Sequence, residues 1–258
     1  MYLKIACWRR STPLHHDTTA SREASSRATL PAPWLSIIVP TLNEAATIAN
    51  TLRRLRELPD SEVETIIVDG GSKDDTVSRA IPLASRLIQS APGRATQMNA
   101  GARASRGEQL LFLHADTRLP PHAELLIGKA LSGSRCWGRF DVSLAGKHKL
   151  LPLIASAMNL RSRLSGIATG DQALFMTRKA FEAVGGFPDQ PLMEDIEMSK
   201  RLGRLSLPVC LKQRVISSGR RWDQAGAWAT IRLMWRLRWR YWRGESAATL
   251  AKEYRHVR

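Results

Sequence analysis

Residues 110–116, Leu-Leu-Phe-Leu-His-Ala-Asp, restrict the fold of this chain more than any other stretch. Four apolar residues in succession, with Gly107 ahead and Pro120-Pro121 behind, predict a short strand buried on both faces of a mostly parallel sheet. The strand stops at His114 and Asp116. Ligands of open α/β sheets sit beyond the carboxyl ends of the strands, so a polar pair at that point is placed to meet a metal or a phosphate. A second reading stays open, in which Asp116 only caps the turn before a helix starting near Pro121.

Two upstream stretches share this design. Leu35-Ser36-Ile37-Ile38-Val39 predicts a strand stopped by Pro40, and Thr41-Leu42-Asn43-Glu44 leads into a helix with apolar positions at Ile48, Leu52 and Leu55. Residues 64–69 predict a second strand ending in Asp69. Gly70 and Gly71 follow it and permit close approach of backbone to a ligand, and Ser72, Asp74 or Thr76 is placed to cap the next helix. A short strand over 86–89 precedes residues 93–101. Strand and helix alternating through short connections predict an α/β fold, a doubly wound, mostly parallel central sheet with helices on both faces. Residues 40–44, 69–72 and 114–116 then gather at one rim, the layout of a nucleotide site.

Downstream, residues 121–131 predict a helix, 137–144 a strand with one wet face, and 149–164 a helix despite Pro152. Thr169-Gly170-Asp171-Gln172 precedes a strand over 173–177, and 184–188 is a turn. Met193-Glu194-Asp195-Ile196-Glu197 opens a helix reaching about Arg204, with Asp195 near its positive N-terminal end, as an N-cap or as a reactive group. Residues 1–33, rich in Ser, Thr, Arg and Pro, predict a disordered extension without the apolar core of a signal peptide; an organellar presequence stays open. A globular domain over 34–222 and a basic, Trp-rich helical segment over 223–258 complete the expected organisation.

Charge singles out that last segment. The chain carries a formal net charge of +16, and residues 214–258 hold eleven basic and three acidic groups, half of the excess. A localised basic end suits an acidic surface or substrate. On a helix over 226–243, Trp228, Ile231, Trp235, Trp239 and Trp242 share one arc, Arg232, Arg236, Arg240 and Arg243 the next, and Leu233, Met234, Leu237 and Tyr241 the third. Such a helix packs its apolar arcs on the protein, or lies in a membrane interface with Trp among headgroups and Arg on anionic lipid. No apolar run approaches the length of a membrane span. Cys7, Cys136 and Cys210 are too few and scattered for a zinc site or disulfide framework, which points to a reducing compartment. The expected location is cytoplasmic, with a peripheral position at the inner face of the plasma membrane as its variant.

The ordered set Ile37-Ile38-Val39-Pro40-Thr41-Leu42-Asn43-Glu44, Val68-Asp69-Gly70-Gly71-Ser72, His114-Ala115-Asp116, Gly185-Gly186-Phe187 and Glu194-Asp195 resembles family 2 glycosyltransferases of the GT-A fold, over residues 35–222. Residues 93–101, 137–142, 166–173 and 191–197 further resemble a bacterial subgroup labelled as arsenosugar-biosynthesis-type glycosyltransferases. The resemblance implies inverting, divalent-metal-dependent transfer of a sugar from a nucleotide-sugar donor to an acceptor hydroxyl, on a small metabolite or a lipid-like molecule. It implies nucleotide contacts at Pro40, Thr41, Glu44 and Gly71, with Asp69 reading the base. Asp116 corresponds to the last acidic residue of the family's Asp-X-Asp motif, which holds Mg2+ or Mn2+ on the diphosphate. The first Asp of that motif is His114 here, and imidazole suits magnesium less, so His114 is either a ligand or a phosphate contact. Asp195, beside Glu194, resembles the catalytic base. Arg220-Arg221-Trp222 resembles the family's Arg-Trp element, where a cation can face the diphosphate, although its usual Gln is not evident. Arg94 is a candidate phosphate contact and Asp171 a candidate for a sugar or acceptor hydroxyl, each with an ordinary surface ion pair as the alternative. Helix capping is the alternative for Glu44.

Rival classes make different demands. A nucleotidyltransferase would carry a Gly-rich loop with Lys or Arg right after the first strand, and residues 40–44 lack one. A nucleic-acid-binding protein, suggested by the charge and the Arg/Trp helix, would bind with strong salt dependence even without Asp195; nucleic acid is not the expected partner. A membrane-surface module using the sheet as a scaffold would keep liposome binding after Asp116→Ala.

Overall fold

The computed structural model describes residues 33–59 and 63–256; the N-terminal extension expected over 1–33 lies, but for its last residue, outside them. Strands β1 (Leu35–Thr41), β2 (Val63–Asp69), β3 (Arg86–Gln89) and β4 (Gln109–Phe112) run parallel in the order β3-β2-β1-β4. Helices α1 (Ile48–Leu55), α2 (Thr76–Ala80) and α3 (Arg94–Ala104) connect them. Every residue of β2, and every residue of β1 except Pro40, is buried. This follows from strand alternation between two covered faces. Ile37, Val39, Ile67 and Leu111 pack with Ile48, Leu52 and Leu55 of α1, while Ile38, Ile66, Val68 and Leu110 pack with Ala95, Met98 and Ala102 of α3. Buried Glu64 ties the opposite edge together, accepting from the Ser36 hydroxyl and the Arg106 amide, each at 2.6 Å.

The second half adds β5 (Thr117–Arg118), α4 (Ala123–Leu131), β6 (Trp137–Ala145), α5 (Leu151–Ser165), a 3-10 turn (Gly170–Gln172), β7 (Leu174–Thr177), α6 (Arg178–Ala183), α7 (Glu194–Gly203) and β8 (Val209–Ser218). The sheet has eight strands in the order β3-β2-β1-β4-β7-β6-β8-β5. Only β7 and β5 run against the others, so the mostly parallel expectation holds. Pro152 is tolerated because it falls in the first turn of α5, where its missing N–H leaves no helical bond unmade.

One expectation is corrected, and one strand carries no sequence signal. β6 has no wet face apart from its end, because Arg139 and Asp141, the residues that read as solvent-facing, are buried beneath α5. Their charges compensate one another: Arg139 Nη1 pairs with Asp141, Arg163 Nη2 lies 2.5 Å from the same carboxylate, and Arg139 Nε donates to the Ser162 hydroxyl at 3.0 Å. Asn159 completes the clamp, bonding the Val142 amide and carbonyl at 2.9 Å each. β8 carries no strand signal in the sequence, since the register shift opposite Phe140/Asp141 leaves Lys212, Gln213 and Arg214 exposed and breaks its alternation.

The chain ends in α8 (Arg220–Ala225), α9 (Ala227–Trp242) and α10 (Ala247–His256). Leu237 of α9 and Leu250 of α10 form a small core with Met193 and Ile196, and Leu233, Met234 and Tyr241 pack on it. The Trp arc of α9 faces outward, with Trp228, Trp235, Trp239 and Trp242 all more than half exposed. No described helix is long and apolar enough to cross a membrane.

Candidate active site

Parallel register brings the turns to one rim. Thr41 stands opposite Asp69 at the ends of β1 and β2, and β4 pairs with β1 up to Phe112 opposite Ile38, which carries the turn at His114 and Asp116 to the same edge. Asp69 is buried and organises its own turn. Its Oδ2 accepts the Gly71 and Ser72 amides at 2.9 Å each, and its Oδ1 accepts the Ser72 hydroxyl at 2.5 Å. Gly71 takes φ +90°, a region open to glycine because it has no Cβ. The turn after β1 is lashed to this one. The Asn43 amide donates to Ser72 Oγ at 2.9 Å, the Lys73 amide to Asn43 Oδ1 at 2.9 Å, and the Glu44 amide to Thr76 Oγ1 at 2.7 Å.

The Thr41 hydroxyl turns into the sheet, donating to the Val68 carbonyl at 3.3 Å, and Gln97 Nε2 bridges the Thr41 and Val68 carbonyls at 2.8 Å each. Neighbouring Pro40 is partly exposed. The Glu44 carboxylate does not cap α1: it accepts the Thr47 hydroxyl at 3.0 Å and lies 3.5 Å from Arg220 Nη2. Arg221 lies over the Tyr254 ring, 4.7 Å from its centroid, and Trp222 packs against the core.

The acidic residues meet around Arg94, the first residue of α3. Its Nη1 is 3.7 Å from buried Glu194. Burial works against the Arg94 charge, but Glu194, Asp171, Asp195 and Asp116 outweigh it and raise its pKa. One cation thus feels carboxylates from α7, from the 3-10 turn and from the turn after β4. His114 Nδ1 lies 3.4 Å from Asp171 Oδ1. Partial burial pushes the Asp171 carboxyl up, yet its hydrogen bond and charge interaction with His114, together with Arg94 and Arg221, bring it down to about 2. Asp116 takes no hydrogen bond or ion-pair contact from any described residue, and α4 begins after His122, so Asp116 is not a helix cap.

Asp195 sits one residue inside α7, whose N-cap position belongs to Met193. Its Oδ2 accepts the Gly170 amide at 2.9 Å and its Oδ1 the Ile196 amide at 2.8 Å, which fixes the carboxylate while leaving a lone pair on each oxygen. Burial and then Glu194 push its pKa up to about 6, against the two amides and Arg94. Gly170 is constrained in another way too. A Cβ at this position would meet the His114 ring at 2.4 Å, so a side chain in the turn that supplies the amide requires the imidazole to move. Backbone strain gathers here as well. Among described non-glycine residues at positive φ, Asn43, Ala173 and Met193 all border these turns.

The site therefore joins Arg94, His114, Asp116, Asp171, Glu194 and Asp195 closely, with Arg221 in electrostatic reach of Asp171. Pro40, Thr41, Glu44, Asp69 and Gly71 form the neighbouring, main-chain-tied part of the rim. Gln97, Gly170 and Arg161 have no individual role assigned by sequence. Gly170 adjoins one that does, Asp171, whereas Gln97 and Arg161 read as ordinary members of amphipathic helices.

The family model described as glycosyl transferase family 2 matches residues 36–182, more than half of the chain, and the chain belongs to that family. A PGL/p-HBAD biosynthesis glycosyltransferase of Mycobacterium bovis is 40% identical over 95 residues, covering 34% of this chain and 37% of that protein. The match spans little more than a third of the length of that relative. Among solved structures, the mannosyltransferase PcManGT from Pyrobaculum calidifontis in complex with GDP-Man and Mn2+ aligns with a TM-score of 0.56 at 22% identity, covering 75% of this chain and 61% of that one. Glucosyl-3-phosphoglycerate synthase from Mycobacterium tuberculosis, in complex with Mn2+, uridine diphosphate and glucosyl-3-phosphoglycerate, aligns with a TM-score of 0.53 at 21% identity, covering 72% of this chain and 71% of that one. At these identities the likeness is one of fold, and that fold is GT-A.

Proposed function

We propose that this chain is an inverting glycosyltransferase that moves a sugar from a nucleotide-sugar donor to an acceptor hydroxyl. The observation that carries the reading is the convergence of Asp116, Asp171, Glu194 and Asp195 on Arg94 at the carboxyl ends of the parallel strands. Asp195 takes the proton of the acceptor hydroxyl as that oxygen bonds to the anomeric carbon. The bond from that carbon to the diphosphate breaks on the opposite side, and its electron pair leaves with the nucleoside diphosphate. A carboxylate with a pKa of about 6 stays ionised at neutral pH and is a better base than an ordinary aspartate. Arg94, with Arg220 and Arg221 across the rim, offers charge-assisted hydrogen bonds to phosphate oxygens. Asp69 and the turn at Gly71 border the nucleoside end.

The donor set fits a hard divalent cation. The described residues contain no cluster of three ligating side chains, and magnesium and manganese are commonly held by one or two carboxylates completed by substrate phosphates. Asp116, which takes no hydrogen bond or close ion-pair contact from the described residues, would hold the ion against the diphosphate, while His114 is engaged with Asp171. When bound, such an ion offsets charge on the leaving phosphate. The PcManGT and glucosyl-3-phosphoglycerate synthase complexes with Mn2+ support this assignment by likeness of fold.

The test is a thermal-shift panel of nucleotide sugars with and without Mn2+ or Mg2+. At least one donor is expected to raise the melting temperature in the presence of metal, with the metal-dependent part lost in Asp116→Ala. Absence of any shift across uridine, guanosine and thymidine donors contradicts the proposal.

The acceptor side carries a second part of the proposal, a peripheral position on an anionic membrane. Support comes from the outward Trp residues of α9, with Arg232 beside them and Arg243 stacked 5.1 Å over the Trp239 ring. Arg236 and Arg240 are already paired with Glu253 and Glu245 of the same segment, which leaves fewer cations for lipid than the sequence suggested. Each free one near the surface contributes about 1 kcal/mol. Sedimentation with phosphatidylcholine vesicles containing phosphatidylglycerol is expected, reduced in Trp235→Ser/Trp242→Ser; a protein that stays in the supernatant at low salt contradicts it.

A further inference from the structure

His114 stands where the family's motif has its first Asp, and the proposed transfer gives it no task. Its two ring nitrogens are turned toward one element, the 3-10 turn over Gly170–Gln172. Nδ1 lies 3.4 Å from Asp171 Oδ1, and the edge of the ring at Nε2 and Cε1 fills the space where a side chain at position 170 would stand. The imidazole therefore packs on the backbone whose Gly170 amide donates to Asp195 Oδ2 at 2.9 Å. With 15% of its side chain exposed, the ring has little room to turn away.

The two ends of that turn are held by other residues. At its entrance the Ala168 amide donates to Ser199 Oγ at 3.0 Å, and that hydroxyl donates to the Asp195 carbonyl at 2.8 Å. At its exit Gln172 is fully buried, its amide donating to the Thr169 carbonyl at 2.8 Å and its Oε1 accepting the Thr169 amide at 3.2 Å. Ala173 follows at φ +48°, a strained angle for alanine that persists only when its surroundings hold it. Gly170 and Asp171 form the tip between these ends. Asp195 meets the tip at the Gly170 amide, and His114 meets it at both residues. On its own side, the His114 carbonyl accepts the Thr117 amide at 3.0 Å, closing the turn that presents Asp116. One residue thus joins the turn that carries the candidate metal ligand to the turn that orients the candidate base.

We propose that His114 is a positioning residue for the base: it sets the tip of the 3-10 turn so that the Gly170 amide aims the Asp195 carboxylate, and it is not a ligand of the cation. The inference rests on the reading of Asp195 as the base. It also accounts for the departure from the family's motif, because a carboxylate at position 114 would stand against Asp171 and like charges in contact repel.

The isosteric pair His114→Asn and His114→Asp separates the two roles, with His114→Ala removing both contacts. Asn keeps a donor where Nδ1 stands, whereas Asp restores the family's residue and sets a like charge against Asp171. NMR of the full chain, isotope-labelled at the aspartate carboxyl carbons, follows the Asp195 titration without donor or acceptor, its signal being the one missing from Asp195→Asn. Wild type is expected to titrate at about 6. Loss of the Gly170 amide should raise that value by about half a unit to one unit in the Ala and Asp variants, the worth of one hydrogen bond, and leave it unmoved in Asn. Glu194 of α7, Arg94 of α3 and Arg161 of α5, the charged groups that act on Asp195, are the same in all three. Turnover of the donor with the largest thermal shift should fall by about ten- to a hundredfold in Ala and Asp, the scale of a displaced reacting group, and stay near wild type in Asn. The Mn2+ concentration that gives half of the thermal shift with UDP or GDP should be the same in wild type, Ala and Asn. Weaker Mn2+ in both of those variants, an Asp195 titration that stays put in Ala, or an equal rise in Asn overturns the inference. If His114→Ala does not fold, Asn against Asp carries the comparison, and equal Asp195 titrations in those two overturn it. Failure of the donor reading shows separately, as a wild type with no shift on UDP or GDP, and the Asp195 titration then decides the role of His114.

Discussion

Asp195→Asn is expected to lower the rate of sugar transfer by a factor of about a hundred to ten thousand, the usual worth of a positioned general base. The amide keeps the size of the carboxylate and still accepts one of the two backbone amides that orient it, but it cannot take a proton. Donor binding is expected to persist, since the variant removes no phosphate contact, so the loss should appear in kcat. The wild-type rate should fall as pH drops through about 6, where Asp195 becomes protonated, and that limb should vanish from the residual rate of the variant. Stability moves the other way. Because the folded pKa of Asp195 is raised above its ordinary value of 3.8, its contribution to stability is full below about pH 4 and is lost as pH rises through about 6. At pH 8 the variant escapes the cost of a buried charge and gives up one hydrogen bond, for a net change between zero and about 2 kcal/mol in its favour. Thermal melts at pH 8 and pH 4.5 check the sign. A variant that is inactive because it is unfolded contradicts this role for the residue.

Arg139→Leu is expected to be the most destabilising single change, at about 3 to 5 kcal/mol, read as a lowered denaturant midpoint. The side chain is fully buried, and its loss strips the hydrogen bonds to the Ser162 hydroxyl and Asn159 carbonyl and one of the two cations from Asp141. Arg163 still faces that carboxylate, which keeps the value from rising further. Adding Asp141→Leu should recover part of the stability, because paired apolar replacement of a buried ion pair is often neutral. Recovery of activity is not expected with it, since α5 would lose the clamp that fixes its position beside Asp195. A single variant as stable as wild type would show that α5 is held by apolar packing alone.

The parallel half of the fold was legible because its strands are buried on both faces, so apolar runs ending in Pro40, Asp69 and His114 mark both the strand and its functional end. β6 misled because Arg139 and Asp141 look like a solvent face, and only tertiary structure reveals that α5 covers them with compensating charge. β8 was lost at its bulge, where pairing skips from Leu211 to Arg214 and the period-two signal disappears. On α9 the wheel separated the Leu233, Leu237 and Tyr241 arc, which packs, from the arc of four exposed Trp residues, in which only Ile231 packs, but could not tell which arc would find a partner. Among the acidic residues, Asp116, Asp171 and Asp195 each sit in a motif, so composition near a strand or helix end flagged them.

The central claim is that the rim where Asp116 and Asp195 converge on Arg94 holds an activated sugar with its anomeric carbon turned toward Asp195. The most direct test is a crystal structure with Mn2+ and whichever nucleotide sugar gives the largest thermal shift. The metal is expected on Asp116, the diphosphate beside Arg94, and the sugar facing the Asp195 carboxylate. A donor bound away from this rim, or one whose sugar points away from Asp195, would contradict that claim.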